Sequence, residues 1–185
     1  MSMRWFVAAL ALGLITLGSF APVASAEEMS VADGKIVLTP PEAWKKKTPS
    51  SRIVEFEYEI PAAEGDDRAG RLTVTNAGGS VAANVERWVG QFKQSKADQE
   101  KNKNEEKKVG SQVVHFVEIS GTYMDSAGGP FSQTKPTARE NYRMLAAIIP
   151  TKESGTVFIK FYGPKGTVAK NEEAFTKMIT GLKAK

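Results

Sequence analysis

The chain has 185 residues, 41% hydrophobic and 25% charged, an ordinary balance for one globular domain with a single core. It contains no cysteine, which excludes a disulfide framework, thiolate chemistry and a zinc–cysteine site. Its 25 basic and 21 acidic residues are scattered, giving a net charge of +4 without the clustered basic face of a nucleic-acid binder.

At the N-terminus, Arg4 precedes an uncharged run from Trp5 to Phe20, and the small-x-small pattern Ala24-Ser25-Ala26 follows. This reads as a secretory signal peptide spanning residues 1–26, with a mature chain that starts at Glu27 in the periplasm or outside the cell. A retained anchor fits less well, because the run is shorter than the ~20 residues a bilayer needs. No stop-transfer charges follow it directly, so no stable membrane insertion is expected after cleavage. Setting Arg4 aside leaves 24 basic against 21 acidic residues, a mildly basic mature chain.

Asp33-Gly34-Lys35 reads as a turn, and Ile36-Val37-Leu38 as a short strand stopped by Pro40-Pro41, which cannot donate to a ladder. Trp44 then reads as a plug at the sheet's end, the rival being a surface aromatic beside Lys45-Lys46-Lys47. From Ile53 to Ile60 the chain alternates, with Val54, Phe56, Tyr58 and Ile60 on one face and Ile53, Glu55, Glu57 and Glu59 on a wet one, as near a sheet edge. Gly65 to Gly70 is a solvated turn, since Asp66-Asp67 lacks the further oxygen ligands of a calcium loop. Arg71 to Thr75 is the return strand.

Ser80 is a candidate N-cap for a helix whose stripe is Val81, Val85, Trp88, Val89 and Phe92. Residues 93–108 are almost all Lys, Glu, Asp, Asn and Gln, and are expected to be a mobile charged segment, a frayed helix end or loop. Gln112 to Ser120 is a strong strand, and the Gly-, Pro- and Ser-rich stretch from Tyr123 to Glu140 reads as a long loop of the kind that carries function. Asn141 to Ile149 and Thr156 to Tyr162 pair as an antiparallel hairpin, the latter with Val157, Ile159 and Phe161 on one face and Phe158, Lys160 and Tyr162 on the other. After Gly163-Pro164-Lys165-Gly166, the residues Val168, Phe175, Met178, Ile179 and Leu182 recur at helical spacing on a closing helix.

The sequence has no glycine-rich phosphate motif, nucleophile elbow or His-Glu-x-x-His helix. His115, the only histidine, shares a strand face with Val113, Val117 and Ile119 and reads as a satisfied, largely buried imidazole. Glu118, Arg143 and Lys160 lie inside apolar strands, where unpaired charge costs several kcal/mol. They either pair with one another, or Arg143 and Lys160 form a cationic pocket walled by Tyr123, Phe131 and Tyr142 under the long loop.

The stretch Ile36 to Trp44, the helix around Trp88, the three strands after it and the ending Phe175 to Leu182 together resemble the PsbP/Mog1-like fold group over nearly all of the mature chain. That resemblance implies an α+β fold, an antiparallel β-sheet sandwiched by helices, in a single domain spanning 27–185. Its known members are non-enzymatic accessory or binding proteins, such as lumenal photosystem II extrinsic subunits and a nuclear Ran-binding protein. Neither function transfers residue by residue. The expected function is therefore a non-catalytic exported binding or accessory domain without cofactor or metal, whose partner is an unknown protein or a small anionic ligand. The alternative is a small periplasmic hydrolase or lyase with a site near Glu118 and His115.

Overall fold

A computed structural model of the chain describes residues 27–49, 51–126 and 135–185. The expected signal peptide, 1–26, and Phe131 lie outside the described residues.

The frame is an antiparallel sheet of eight strands. In chain order the strands are β1 (Met29–Val31), β2 (Ile36–Leu38), β3 (Lys45–Lys47), β4 (Phe56–Ile60), β5 (Gly70–Ala77), β6 (Phe92–Lys93), β7 (Lys103–Val109), β8 (Gln112–Asp125), β9 (Thr137–Pro150), β10 (Thr156–Pro164) and β11 (Lys183–Ala184). The helices are α1 (Val81–Val89), α2 (Lys96–Gln99) and α3 (Lys165–Thr180). The large sheet runs β3-β4-β5-β10-β9-β8-β6, with β7 also pairing β8, while β1, β2 and β11 form a separate three-stranded sheet.

Strict alternation along β10 builds the two layers on either side of the large sheet. Val157, Ile159 and Phe161 enter a core with the small sheet and α3, which contributes Val168, Phe175, Met178 and Ile179. Phe158 and Tyr162 enter the opposite core with Trp88 of α1, Ile119 and Met144. Burying one such side chain is worth about 2 kcal/mol, so the stripe of α3 accounts for its docking. Trp44 is buried, packs on Phe161 at 5.8 Å between ring centroids and donates through Nε1 to Asn171 Oδ1 at 3.1 Å, which is the plug arrangement. Ser80 caps α1 by accepting from the Ala83 amide at 3.2 Å.

Four local expectations are corrected. Residues 93–108 are no frayed helix end: they hold part of β6, the short α2, and most of β7, a strand paired with β8 from Lys103↔Glu118 to Val109↔Gln112. Main-chain bonds to a strong neighbouring strand suffice there, and all but the last side chain of β7 remain exposed, as suits an edge. Lys45–Lys47, given no secondary structure from the sequence, is an edge strand on β4. Phe92 leaves the helix and pairs with Tyr123 in β6, still buried. The loop from Tyr123 to Glu140 is shorter than expected, because β8 and β9 continue pairing to Asp125↔Thr137.

That continuation is irregular. Between the pairs Gly121↔Tyr142 and Tyr123↔Arg139, β9 contains one more residue than β8 and Asn141 takes a positive φ of 53°, a β-bulge. The bulge inverts the period-two rule, so Arg139 and Tyr142, three apart, both face the α1 side. Gly121 lies beside it with φ 151°, and a Cβ there would stand 2.7 Å from the Lys93 carbonyl oxygen, so β6 can approach only a glycine.

Candidate functional site

On the α1 side of the large sheet, next to the bulge, the side chains form an open cleft of about 320 Å³. It is lined by Arg68 and Ala69 of the β4–β5 connection, Arg71 of β5, Tyr123 and Asp125 of β8, Arg139 and Tyr142 of β9, and Tyr162 and Gly163 of β10. A Cβ on Gly163 would sit 2.8 Å from Gly70 Cα, so the strand ends close together only because both are glycines. Three of the four tyrosines of the chain meet here. The rings of Tyr123 and Tyr142 are nearly parallel, 7° apart with centroids at 5.9 Å, and Tyr123 and Tyr162 lie 5.0 Å apart.

The register explains the polar side of the site. Arg71 stands opposite Tyr162 on β10, and its NH1 donates to the tyrosine hydroxyl at 2.9 Å. Its Nε and NH2 donate to the two Glu57 oxygens at 2.8 and 2.9 Å, a bidentate pair that fixes the guanidinium plane. Arg139 reaches Asp125 Oδ2 through Nε and NH2 at 3.4 and 3.3 Å. Burial raises the phenol pKa of Tyr123, Tyr142 and Tyr162 alike, so all three stay protonated through the physiological range.

Lys160 lies behind this wall, partly buried, with Nζ 4.8 Å from the Tyr162 ring centroid and 5.9 Å from that of Tyr123. Its hydrogen bond goes to Gln91 Oε1 at 3.1 Å, and no carboxylate among the described residues comes within ion-pair distance. Burial, reinforced by Arg71 and Arg87, pushes its pKa down to about 8. The tyrosine faces replace part of its lost hydration through cation–π attraction.

Of the residues expected from the sequence, Tyr123, Tyr142 and Lys160 are brought together, whereas Arg143 is not. Arg143 projects from the other face of β9, where Nε donates to Glu118 at 2.8 Å and NH1 to Glu172 of α3 at 2.7 Å. The cationic pocket of Arg143 and Lys160 is therefore replaced by the pairing arrangement for Arg143, because residues 143 and 160 point to opposite layers. Lys103 also reaches Glu118, at 2.9 Å. The paired site of Glu118 and His115 fails for the same reason. His115 faces the α1 side with Val117 and is only partly buried, with Glu106 of β7 at 3.8 Å, while Glu118 faces α3.

The sequence reading missed Arg68, Arg71, Asp125, Arg139 and Tyr162. Tyr162 was recoverable, since it shares the Lys160 face of β10, and Arg71 follows once β5 pairs with β10. Arg139 had no sequence signal, because the bulge decides its side.

Neither a family model nor a curated protein matches the chain. Among solved structures, the chain is similar to the cyanobacterial PsbP (CyanoP) of Synechocystis sp. PCC 6803, with a TM-score of 0.54 and 13% identity over 91% of this chain and 99% of that one. It is also similar to the Ran-binding protein Mog1p of Saccharomyces cerevisiae, with a TM-score of 0.46 and 11% identity over 85% and 94% of the two chains. LpqN of Mycobacterium tuberculosis, involved in cell envelope biogenesis, has a TM-score of 0.44 and 13% identity over 84% and 89%. The fold is PsbP/Mog1-like. Among the described residues, no helix is long and apolar enough to cross a membrane.

Proposed function

We propose that this chain is a non-catalytic binding or accessory domain, exported by its first 26 residues to the periplasm or beyond, and that it contacts its partner through the tyrosine and arginine cleft. The observation that carries this reading is the chemistry of the lining. Arginines do not titrate, the phenols are held protonated, and the single lining carboxylate among the described residues, Asp125, is turned to Arg139. Such a set grips and orients well, and offers no nucleophile with a general base beside it. Large, rigid tyrosine faces with arginines also make the contact area that protein recognition favours.

The test is capture of partners from native extract on the purified protein, in parallel with a Tyr142→Ala variant of verified fold. A partner retained by the parent and lost by the variant supports the reading. Equal capture by both moves the contact surface off this cleft.

A further inference from the structure

The cleft has more to donate than to accept. Among the described residues its lining holds three guanidinium groups against one carboxylate, with Glu57 and Asp67 paired to Arg71 and Arg68 from outside the lining, and Lys160 adds a cation behind it. Arg71 is held by Glu57, which offsets its charge, and by Tyr162, and so fixes the position of the Tyr162 hydroxyl. The Tyr162 hydroxyl accepts from Arg71 and shares a hydrogen bond with the Tyr123 hydroxyl. Arg139 meets Asp125 only at 3.3 and 3.4 Å, longer than the ~2.7–2.9 Å of a good charge-assisted bond. Arg68 Nε stands 3.6 Å from Asp67, at a half-exposed position. Both therefore have N–H groups to turn toward a stronger acceptor.

We propose that the cleft binds an oxyanion, a carboxylate or phosphate group, received by Arg68 and Arg139, with Arg71 holding Tyr162 in place and the Tyr142 ring as side wall. The inference rests on the cleft being the binding surface and adds the chemistry it recognises. A volume of about 320 Å³ in an open cleft suits a small anion or one protruding acidic group of a larger ligand. The oxyanion thus comes either from a free small molecule or from a carboxylate of a protein partner.

The experiment titrates the purified protein at low salt with inorganic phosphate, citrate and a hexaglutamate peptide, following the arginine Nε–H and tyrosine ring signals by NMR. Saturable shifts at Arg68, Arg139, Tyr142 and Tyr162 are expected, weakened about tenfold or more by Arg139→Gln, the loss of one charged hydrogen bond. Arg68→Gln, at an exposed position that cannot disturb the core, is expected to act in the same direction. Binding of phosphate or citrate alone identifies a small anion, and binding of hexaglutamate alone identifies protein carboxylates. If no probe produces saturable shifts at these residues, or both variants leave them unchanged, oxyanion recognition is wrong. The capture experiment with Tyr142→Ala reads aromatic contact and would still stand, so the two failures are separable.

Discussion

Arg143 clasps Glu118 diagonally across the β8–β9 ladder, Nε to Oε1 at 2.8 Å, and with its other arm reaches Glu172 on α3 at 2.7 Å. One guanidinium thereby ties the sheet to the helix that covers it. Arg143→Gln is expected to destabilise the protein by about 2 kcal/mol, below the ~3–5 of a fully buried pair because Glu118 retains Lys103. Equilibrium urea unfolding measures the loss, and the anion titration should not change. The hydrogen bond from Arg143 holds the Glu172 pKa below its ordinary value. That stabilisation is complete above the unfolded carboxylate pKa and fades as pH falls through the lower folded one, so the gap between parent and variant should narrow in acid.

Lys160 gives the same sign of pH dependence in a higher window, but there it is the charged form that destabilises the fold. Its folded pKa of about 8 lies below its ordinary value of 10.5, so between these values the unfolded chain binds more protons and stability rises with pH. Lys160→Met should therefore be more stable than the parent below pH 8, by up to about 3 kcal/mol, with the gain shrinking toward pH 10.5. Parallel unfolding curves across this range check it. A constant difference at every pH would show that the ammonium is fully hydrated.

Trp88 meets Phe158 edge-on at 6.0 Å, and Phe175 lies 6.0 Å from Phe161 on the other side of the sheet. Trp88→Ala and Phe175→Ala are each expected to cost ~3–5 kcal/mol, the usual range for emptying a large aromatic site. Calorimetry should show a fall of many degrees for both. A variant melting within a degree or two of the parent would mean that its helix is not docked as described.

Much of this architecture is legible in the sequence where one physical signal dominates. The alternation of β10 separates the two cores, and the stripe of α3 names the residues that meet one of them. Pairing by main chain alone is not legible: β7 carries almost no apolar side chain, and β1 and β11 are three and two residues long. The site is half legible for a related reason. Tyr142 and Lys160 stand out as unusual residues, but taking Arg143 off their side required the strand registers, and placing Arg139 required a bulge that no residue type announces.

The β7–β8 hairpin can be tested directly. Amides of β7 that bond to β8 should exchange slowly despite the charged composition of the strand, while α2, with no buried residue, exchanges fast. Limited trypsin digestion should then prefer Lys96 and Lys101 to Lys107. Rapid exchange throughout 103–109 would restore the expectation of a mobile segment.

Export is checked by N-terminal sequencing of the protein recovered from its native compartment. The mature chain is expected to begin at Glu27, after the only good small-x-small site. A chain that begins at Met1, or that sediments with membranes, contradicts it.

The small sheet sets the order in which this molecule can mature. β2 pairs with β1 just before it and with β11 at the far end of the chain, through Lys183↔Val37 and Ala184↔Ile36, and the Lys185 amide closes onto the Lys35 carbonyl at 2.9 Å. A ribosome or a translocation channel delivers residues one after another, so the hairpin formed first has an open flank until the last residues arrive. Contacts of such long separation slow folding, so this sheet is the part of the molecule that closes late.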